Sequence, residues 1–515
     1  MEEQDYLLDS KIRFHDRHRF EIKLDIDLAA GRKSSYQVES WFFIPRALNI
    51  GPHTYSKEHF YNSSQRYIRF KTPKISLSKL ADSATKISPL NRISQELPDM
   101  LAGARKPGSI ATVYNEFKLL GCIIRGEIRD YAGYFLDELK SVSENSVKDG
   151  AKCSFLEESA GNFVRDLNLI IEKIKSIRQT QSNPAVPQKI KEAFSFFDEF
   201  FSLIAEEYLT LMAQAVEKSP LNEKLAAIKN SLLEIVIAQN NYRKSMNYPS
   251  VSRDDRTREV LIYRRGVLKK FISSALYLKV EISEWESMLQ FLFGVAAGLA
   301  MLFAILVTVY AQNRFAMNSA AFVAVVVLSY IFKDRLKDWL KLLFSRGMTR
   351  WFSDRKINIL DQMSGGKIGF LKEAFSFVNP MALSPDISRI RNIDNITSID
   401  EDGKPERVFK YEKKILLYPG KILRFHERRR DINDIMRFNI GDFIVHADDS
   451  EVDYPFADSQ TREVRILKCP RVYHLNVVIK YIYSDPAGRQ TVNYDRIRIV
   501  LNKEGIVRLE EVKAV

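Results

Sequence analysis

The stretch QFLFGVAAGLAMLFAILVTVYAQNRFAMNSAAFVAVVVLSYIFKDRLKDWLK, residues 290–341, decides how the rest of the chain is understood. From Phe291 to Tyr310 there are twenty residues without a formal charge, and from Phe315 to Phe332 eighteen more. At about 1.5 Å per residue, helices of these lengths match or approach the roughly 30 Å hydrocarbon core of a bilayer. A buried helix of a soluble domain normally keeps a polar stripe, and neither run has one. We therefore expect a transmembrane helical hairpin over 288–332, with spans at about 290–310 and 315–332 and a short turn at Gln312-Asn313-Arg314.

Charge on the flanks sets the expected orientation. Arg264, Arg265, Lys269, Lys270 and Lys279 precede the first run, and Lys333, Arg335, Lys337, Lys341, Arg346, Arg350, Arg355 and Lys356 follow the second. Basic residues favour the cytoplasmic side, so both flanks and both termini are expected there, at a bacterial-type inner (plasma) membrane. The acidic start Met1-Glu2-Glu3-Gln4-Asp5 lacks the basic-then-apolar order of a secretion signal.

Gly294 and Gly298 form a GxxxG pattern, and Ala320 and Ala324 repeat the spacing in the second run. Small residues four apart let helix backbones approach closely in lipid. They suit packing of the two spans on each other, or of one copy on another as a homo-oligomer. Neither run contains Asp, Glu, Lys, Arg or His, which disfavours a pump, channel or transporter. Leu336, Trp339, Leu340 and Leu343 share one helical face, and Lys333, Lys337 and Lys341 share another. Together with Arg346, they predict a basic amphipathic helix over 333–356 resting on anionic lipid headgroups.

The chain has 515 residues, a net charge of +13 and 28% charged residues. That is long enough for several domains and too polar for a transporter made mostly of spans. The basic balance points to anionic partners, lipid ahead of nucleic acid. Cys122, Cys153 and Cys469 form no CxxC pair and predict neither a disulfide framework nor a zinc site.

We expect a membrane-anchored multidomain α+β protein. Residues 1–80 read as a β-rich domain: in FEIKLDIDL, Phe20, Ile22, Leu24, Ile26 and Leu28 alternate with charges. Residues 81–109 read as a linker. Residues 110–250 read as a four-helix, coiled-coil-like bundle, carried by Leu156, Ala160, Phe163, Leu167, Ile170, Ile174 and Ile177. Two further series support it, Ile190 to Leu211 and Leu221 to Ile235. Residues 251–287 form a basic juxtamembrane segment, in which 275–282 fits strand or helix. Past residue 355 an irregular stretch is expected. Residues 357–515 then form an α+β domain with a helical patch near Ile432 to Phe443 and a three-stranded meander turning at 485–488 and 502–505. If both ends lie on one side of the membrane, their sheets can join into one domain.

Chemical motifs are sparse. DQMSGGKIGF at 361–370 has Asp361 where a phosphate loop needs its first Gly, and Ile368 after the Lys. SIDEDG at 398–403 lacks the bidentate Glu of a calcium loop. His15 and His18 are three apart in what reads as strand entry, where they face opposite sides. RFHERRR at 424–430 reads as a solvated basic face. Asp386 followed by Glu412 and Lys414 resembles the spaced carboxylates and Lys of metal-dependent nucleases, a short pattern common by chance. No catalytic residue, metal set or cofactor is expected. The leading expectation is a cytoplasm-facing scaffold, sensor or tether with protein partners on its helical bundle. The alternative is a membrane-attached enzyme or nucleic-acid-acting effector whose site is assembled from distant residues.

Overall fold

The computed structural model describes residues 8–26, 28, 34–102, 109–144, 150–251, 254–283, 286–316, 319–351, 353–362, 364–394, 406–426, 428, 431–484 and 489–512. The chain is mixed α+β and divides into two compact units, one of residues 1–69 with 278–515 and one of Phe70–Tyr277.

In the first unit, β1 (Leu8–Asp16), β2 (Arg19–Ile26), β9 (Ile432–Asn439) and β4 (Ser64–Phe70) form a four-stranded sheet in the order β1-β2-β9-β4. An eight-stranded antiparallel sheet contains β3 (Ser34–Pro45), β5 (Lys279–Ser283), β6 (Arg355–Leu360), β7 (Lys367–Val378), β8 (Glu406–Leu417), β12 (Tyr473–Ser484), β13 (Gln490–Asn502) and β14 (Gly505–Val512). Its order is β14-β13-β12-β3-β8-β7-β6-β5. β3 thus sits between β8 and β12, with Phe42 opposite Phe409 on one side and Val477 on the other. β2 pairs with β9, Phe20 opposite Phe438. The N-terminal residues therefore build no sheet of their own, and the expected joining of the terminal β regions occurs.

Aromatic side chains from both sheets make a common core. Phe42 of β3 stacks on Phe409 at 4.6 Å, lies 5.5 Å from Phe438 of β9, and Phe60 stacks on Phe375 at 4.6 Å. Phe60 belongs to α1 (Lys57–Ser63), which is started by the Ser56 capping box. Beside this core lies a buried polar layer. Arg66 of β4 pairs with Glu373 of β7, which accepts from the Tyr411 hydroxyl at 2.5 Å, and Lys413 of β8 pairs with Asp434 of β9. Burying such charges costs free energy unless they are paired; here each charge finds its opposite across the two sheets, while the buried Arg66 Nε has no partner among the described residues.

Two expectations change in this unit. The patch near Ile432 is β9, an interior strand in which Ile432 to Met436 are buried without a break, the polar Asn433 and Asp434 among them, so burial on both faces hides the period of two. Only the four residues of α13 (Gly441–Ile444) are helical there. The stretch past 355 is the β6–β7 hairpin, its loop closed by Asp361, whose carboxylate accepts from the Ser364 amide and hydroxyl. The meander β12-β13-β14 forms as expected; its first turn lies outside the described residues, as does the 398–403 segment. At its second turn Gly505 has φ +133°, and an added Cβ would meet the Arg17 carbonyl oxygen at 2.1 Å, an approach only glycine permits.

The second unit is helical. α2 (Leu77–Ala81) ends the stretch read as β-rich, and α3 (Pro89–Leu101) occupies what reads as linker, because Pro89 starts a helix that buries Leu90, Ile93, Leu97 and Met100. The four expected long helices are α4 (Ser109–Glu144), α5 (Gly150–Gln181), α6 (Gln188–Lys218) and α7 (Ala226–Ser245). A further helix, α8 (Asp255–Ser273), lies in the expected juxtamembrane segment and packs on α4 and α6. Arg264 of α8 holds Glu199 of α6 with three bonds of 2.7–3.1 Å. The α5 seam from Leu156 to Ile177 is buried throughout. In α6 the seam drifts: Leu211 is exposed while Leu209 and Met212 are buried, the shift expected when a strict heptad meets a straight helix of 3.6 residues per turn.

Candidate functional site

The segment 275–282 turns at Ala275 and Leu276 and then extends into β5, and β5 pairs with β6 from Lys279 opposite Leu360 to Ser283 opposite Lys356. Between these paired strands the chain leaves and returns as α9 (Glu286–Arg314) and α10 (Ala320–Trp351), which pack on each other as a helical hairpin. Over Gln290–Arg314, α9 is long and apolar enough to cross a membrane, the one helix of that kind among the described residues.

The second run behaves differently from the expectation. α10 begins at Ala320, so part of the apolar run lies in the connection, and only Ala320 to Phe332 precede Lys333 within the helix. Those residues rise about 20 Å, short of a hydrocarbon core. α10 then continues without a break through the basic amphipathic segment, while Arg355 and Lys356 already belong to β6.

The contact between α9 and α10 is built on alanine. Among the described residues of α9, Ala296, Ala300, Ala304 and Ala311 are buried, and in α10 Ser329 is buried. Their spacing of four and seven places them on one face, and their size lets the backbones close up. Gly294 and Gly298 stand on another face, exposed, with nothing within 4 Å of an added Cβ. Ala320 and Ala324 are likewise exposed. Within one chain these four residues therefore do not make the seam. Large side chains face outward instead: Phe291 is 70% exposed, Leu306 61% and Tyr310 68%.

The basic stripe lies beside the start of α9. The Lys341 ammonium is 5.7 Å from the Phe293 ring centroid, and Lys333 lies 3.7 Å over Tyr330. Lys333, Lys337 and Lys341 are half-buried on the shoulder of α10, while Trp339 is exposed. The Arg346 side chain lies outside the described residues.

The nuclease-like residues sit on two elements. Asp386 is exposed at the start of α11 (Pro385–Asn392), Glu412 accepts from Lys410 on β8, and Lys414 is exposed on the same strand. Among the described residues no group of three or more His, Cys, Asp or Glu side chains is placed to hold a metal ion. Asp361 and His426 form a buried pair at 2.7 Å. Burial raises the Asp361 carboxyl, but the bonds from His426 and Ser364 outweigh it and hold it well below the usual carboxylate range. Since Asp361 also accepts from Ser364, it ties the β6–β7 loop to the end of α12 (Pro419–Phe425), a structural clasp.

One concave site was missed in the sequence. A cavity of about 390 Å³ lies between α2, α4 and α5, lined by Glu127 and Tyr131 of α4 and by Phe155, Glu158, Phe163 and Asp166 of α5, among others. The available signal was spacing: 127 and 131 are one turn apart, as are 155, 158/159, 162/163 and 166. On either helix alone that spacing reads as ordinary amphipathic surface, and only the crossing of α4 and α5 makes a cavity of it.

No family model, no curated protein and no solved structure matches this chain.

Proposed function

We propose that the chain is a membrane-anchored platform, whose α9–α10 hairpin holds the two-sheet unit at the cytoplasmic face of a bacterial-type inner membrane as a scaffold, sensor or tether. The observation that carries this is the surface of α9, which turns its large apolar side chains outward and its alanines inward. That arrangement costs free energy in water and is favourable in lipid. Support for a returning hairpin comes from β5 and β6: because they pair, the chain entering α9 and the chain leaving α10 meet on one side. The flanking Lys and Arg favour the cytoplasm for that side. Lys333, Lys337 and Lys341 then contact anionic headgroups, with Trp339 at the interface. Gly294, Gly298, Ala320 and Ala324, unused within one chain, serve packing between copies.

Alkaline carbonate extraction of membranes carrying the full chain tests the reading. The wild-type protein is expected in the pellet and a Leu299→Lys/Leu306→Lys variant in the supernatant, since a Lys at mid-span costs about 2.5–3.5 kcal/mol each. Release of the wild-type chain by carbonate would overturn the anchor. Labelling of Asn313→Cys by an impermeant maleimide from the far side of the membrane checks the two crossings.

A further inference from the structure

We propose that the cavity between α2, α4 and α5 is a binding site for a small organic ammonium ion, its charge met by carboxylates and its carbon atoms by an aromatic stack. This inference stands on the helical unit alone and does not rest on the membrane reading.

The aromatic wall is preformed. Tyr131 and Phe163 stack face to face with ring centroids 4.1 Å apart and planes within 7°. The Tyr131 hydroxyl is 3.1 Å from Ser159 Oγ, which holds the ring in place. Phe155, on the opening, is 63% exposed, a large apolar group left in solvent one turn before Glu158 and Ser159. A ring at the mouth of a cavity can close over the methylenes of a ligand, and ring faces attract an adjacent cation.

The charged wall points the same way. Glu127, Glu158 and Asp166 line the cavity in a chain whose net charge is +13, so the acidic sign is local. Asp166 has a long contact with the exposed Arg165 at 3.9 Å, which leaves it only weakly neutralised. Glu127 is half-buried, and burial, with Asp130 beside it, raises its carboxyl in spite of Lys74 and a backbone bond at Ile75. A bound cation removes that penalty.

Among the described residues these carboxylates are not grouped to chelate a metal ion. Beside an aromatic wall, they suit an ammonium group borne on a short carbon chain. A volume of about 390 Å³ accepts a diamine or a single lysine-like stem and fits the lower range of small-molecule sites, about 300–1,000 Å³.

Isothermal titration calorimetry on the full chain in detergent micelles provides the test, with 1,4-diaminobutane as probe, 1,4-butanediol as its neutral counterpart and Nα-acetyl-lysine methylamide as the peptide-borne form. The diamine is expected to bind one per chain and the diol not at all. Glu127→Gln with Glu158→Gln is expected to weaken the diamine by about tenfold or more, the size of one lost charge contact of about 1.4 kcal/mol. Phe155→Ala, on an exposed ring, is expected to weaken it without changing the unfolding temperature. Tighter binding of the lysine amide assigns the ligand to a protein side chain, and tighter binding of the diamine to a free amine; both support the site. Equal heats for diamine and diol, or unchanged binding in the double Gln variant, would overturn it.

Discussion

α6 and α9 are helices of 31 and 29 residues with opposite insides. α6 buries Phe194, Phe197, Phe200 and Phe201, while α9 exposes Phe291, Leu306 and Tyr310 and buries four alanines. α6 also buries Asp198, Glu199 and Ser202, each satisfied by a neighbouring helix: Arg178 and Tyr242 for Asp198, Arg264 for Glu199, Arg243 for Ser202. Among the described residues of α9, the buried ones include no ionisable group. The difference teaches what drives each contact. In water, burying large apolar side chains supplies the free energy, and buried charges are tolerated where they are paired. Where the surroundings are as apolar as leucine, there is nothing to gain by hiding large side chains, and close backbone approach through small residues remains.

The strongest way to break this comparison is to truncate a large apolar residue in each helix. Phe197→Ala in α6 is expected to cost about 3–5 kcal/mol, because a fully buried ring leaves a cavity. Leu306→Ala in α9 is expected to leave the stability of the purified chain in micelles unchanged within about 0.5 kcal/mol. Denaturant unfolding followed through the helical signal checks both, and a similar loss from the two variants would erase the distinction.

Enlarging the alanine seam sharpens it. Ala300→Leu overpacks the contact of α9 with α10 and is expected to cost about 1–3 kcal/mol. Gly298→Leu, on the open face, is expected to leave the single chain intact and to reduce association between copies. Cross-linking in membranes together with thermal unfolding separates the two effects.

The remaining effect is electrostatic and belongs to the sheet unit. Asp361 has a folded-state pKa below its unfolded value, so its stabilisation is fully present above the unfolded pKa and is lost as pH falls toward the folded one. Asp361→Asn is therefore expected to lower the unfolding temperature at neutral pH, by about 1–3 kcal/mol in stability. The gap between variant and wild type is expected to narrow below about pH 4. A gap that stays constant on acidification would show that the His426 and Ser364 bonds do not depend on the carboxylate charge.

Local pattern determined much of this molecule. The apolar run of α9, the seams of α5 and α6, the alternation of β2 and the turn at Gly505 follow from periods of 3.6 and 2 and from glycine's backbone freedom, all readable within about ten residues. Tertiary structure decided what depends on a second segment. β9 looks helical because a strand buried on both faces shows no alternation, and its neighbours β2 and β4 come from hundreds of residues away. GxxxG marked small residues, but which small residues meet depends on how α9 and α10 rotate against each other, and that turned out to be the alanine face. The second apolar run lost length because the connection between the helices consumed its first residues. The cavity beside Tyr131 exists only where α4 crosses α5. A sequence states what each face offers; which faces meet is set by packing between elements distant in the chain.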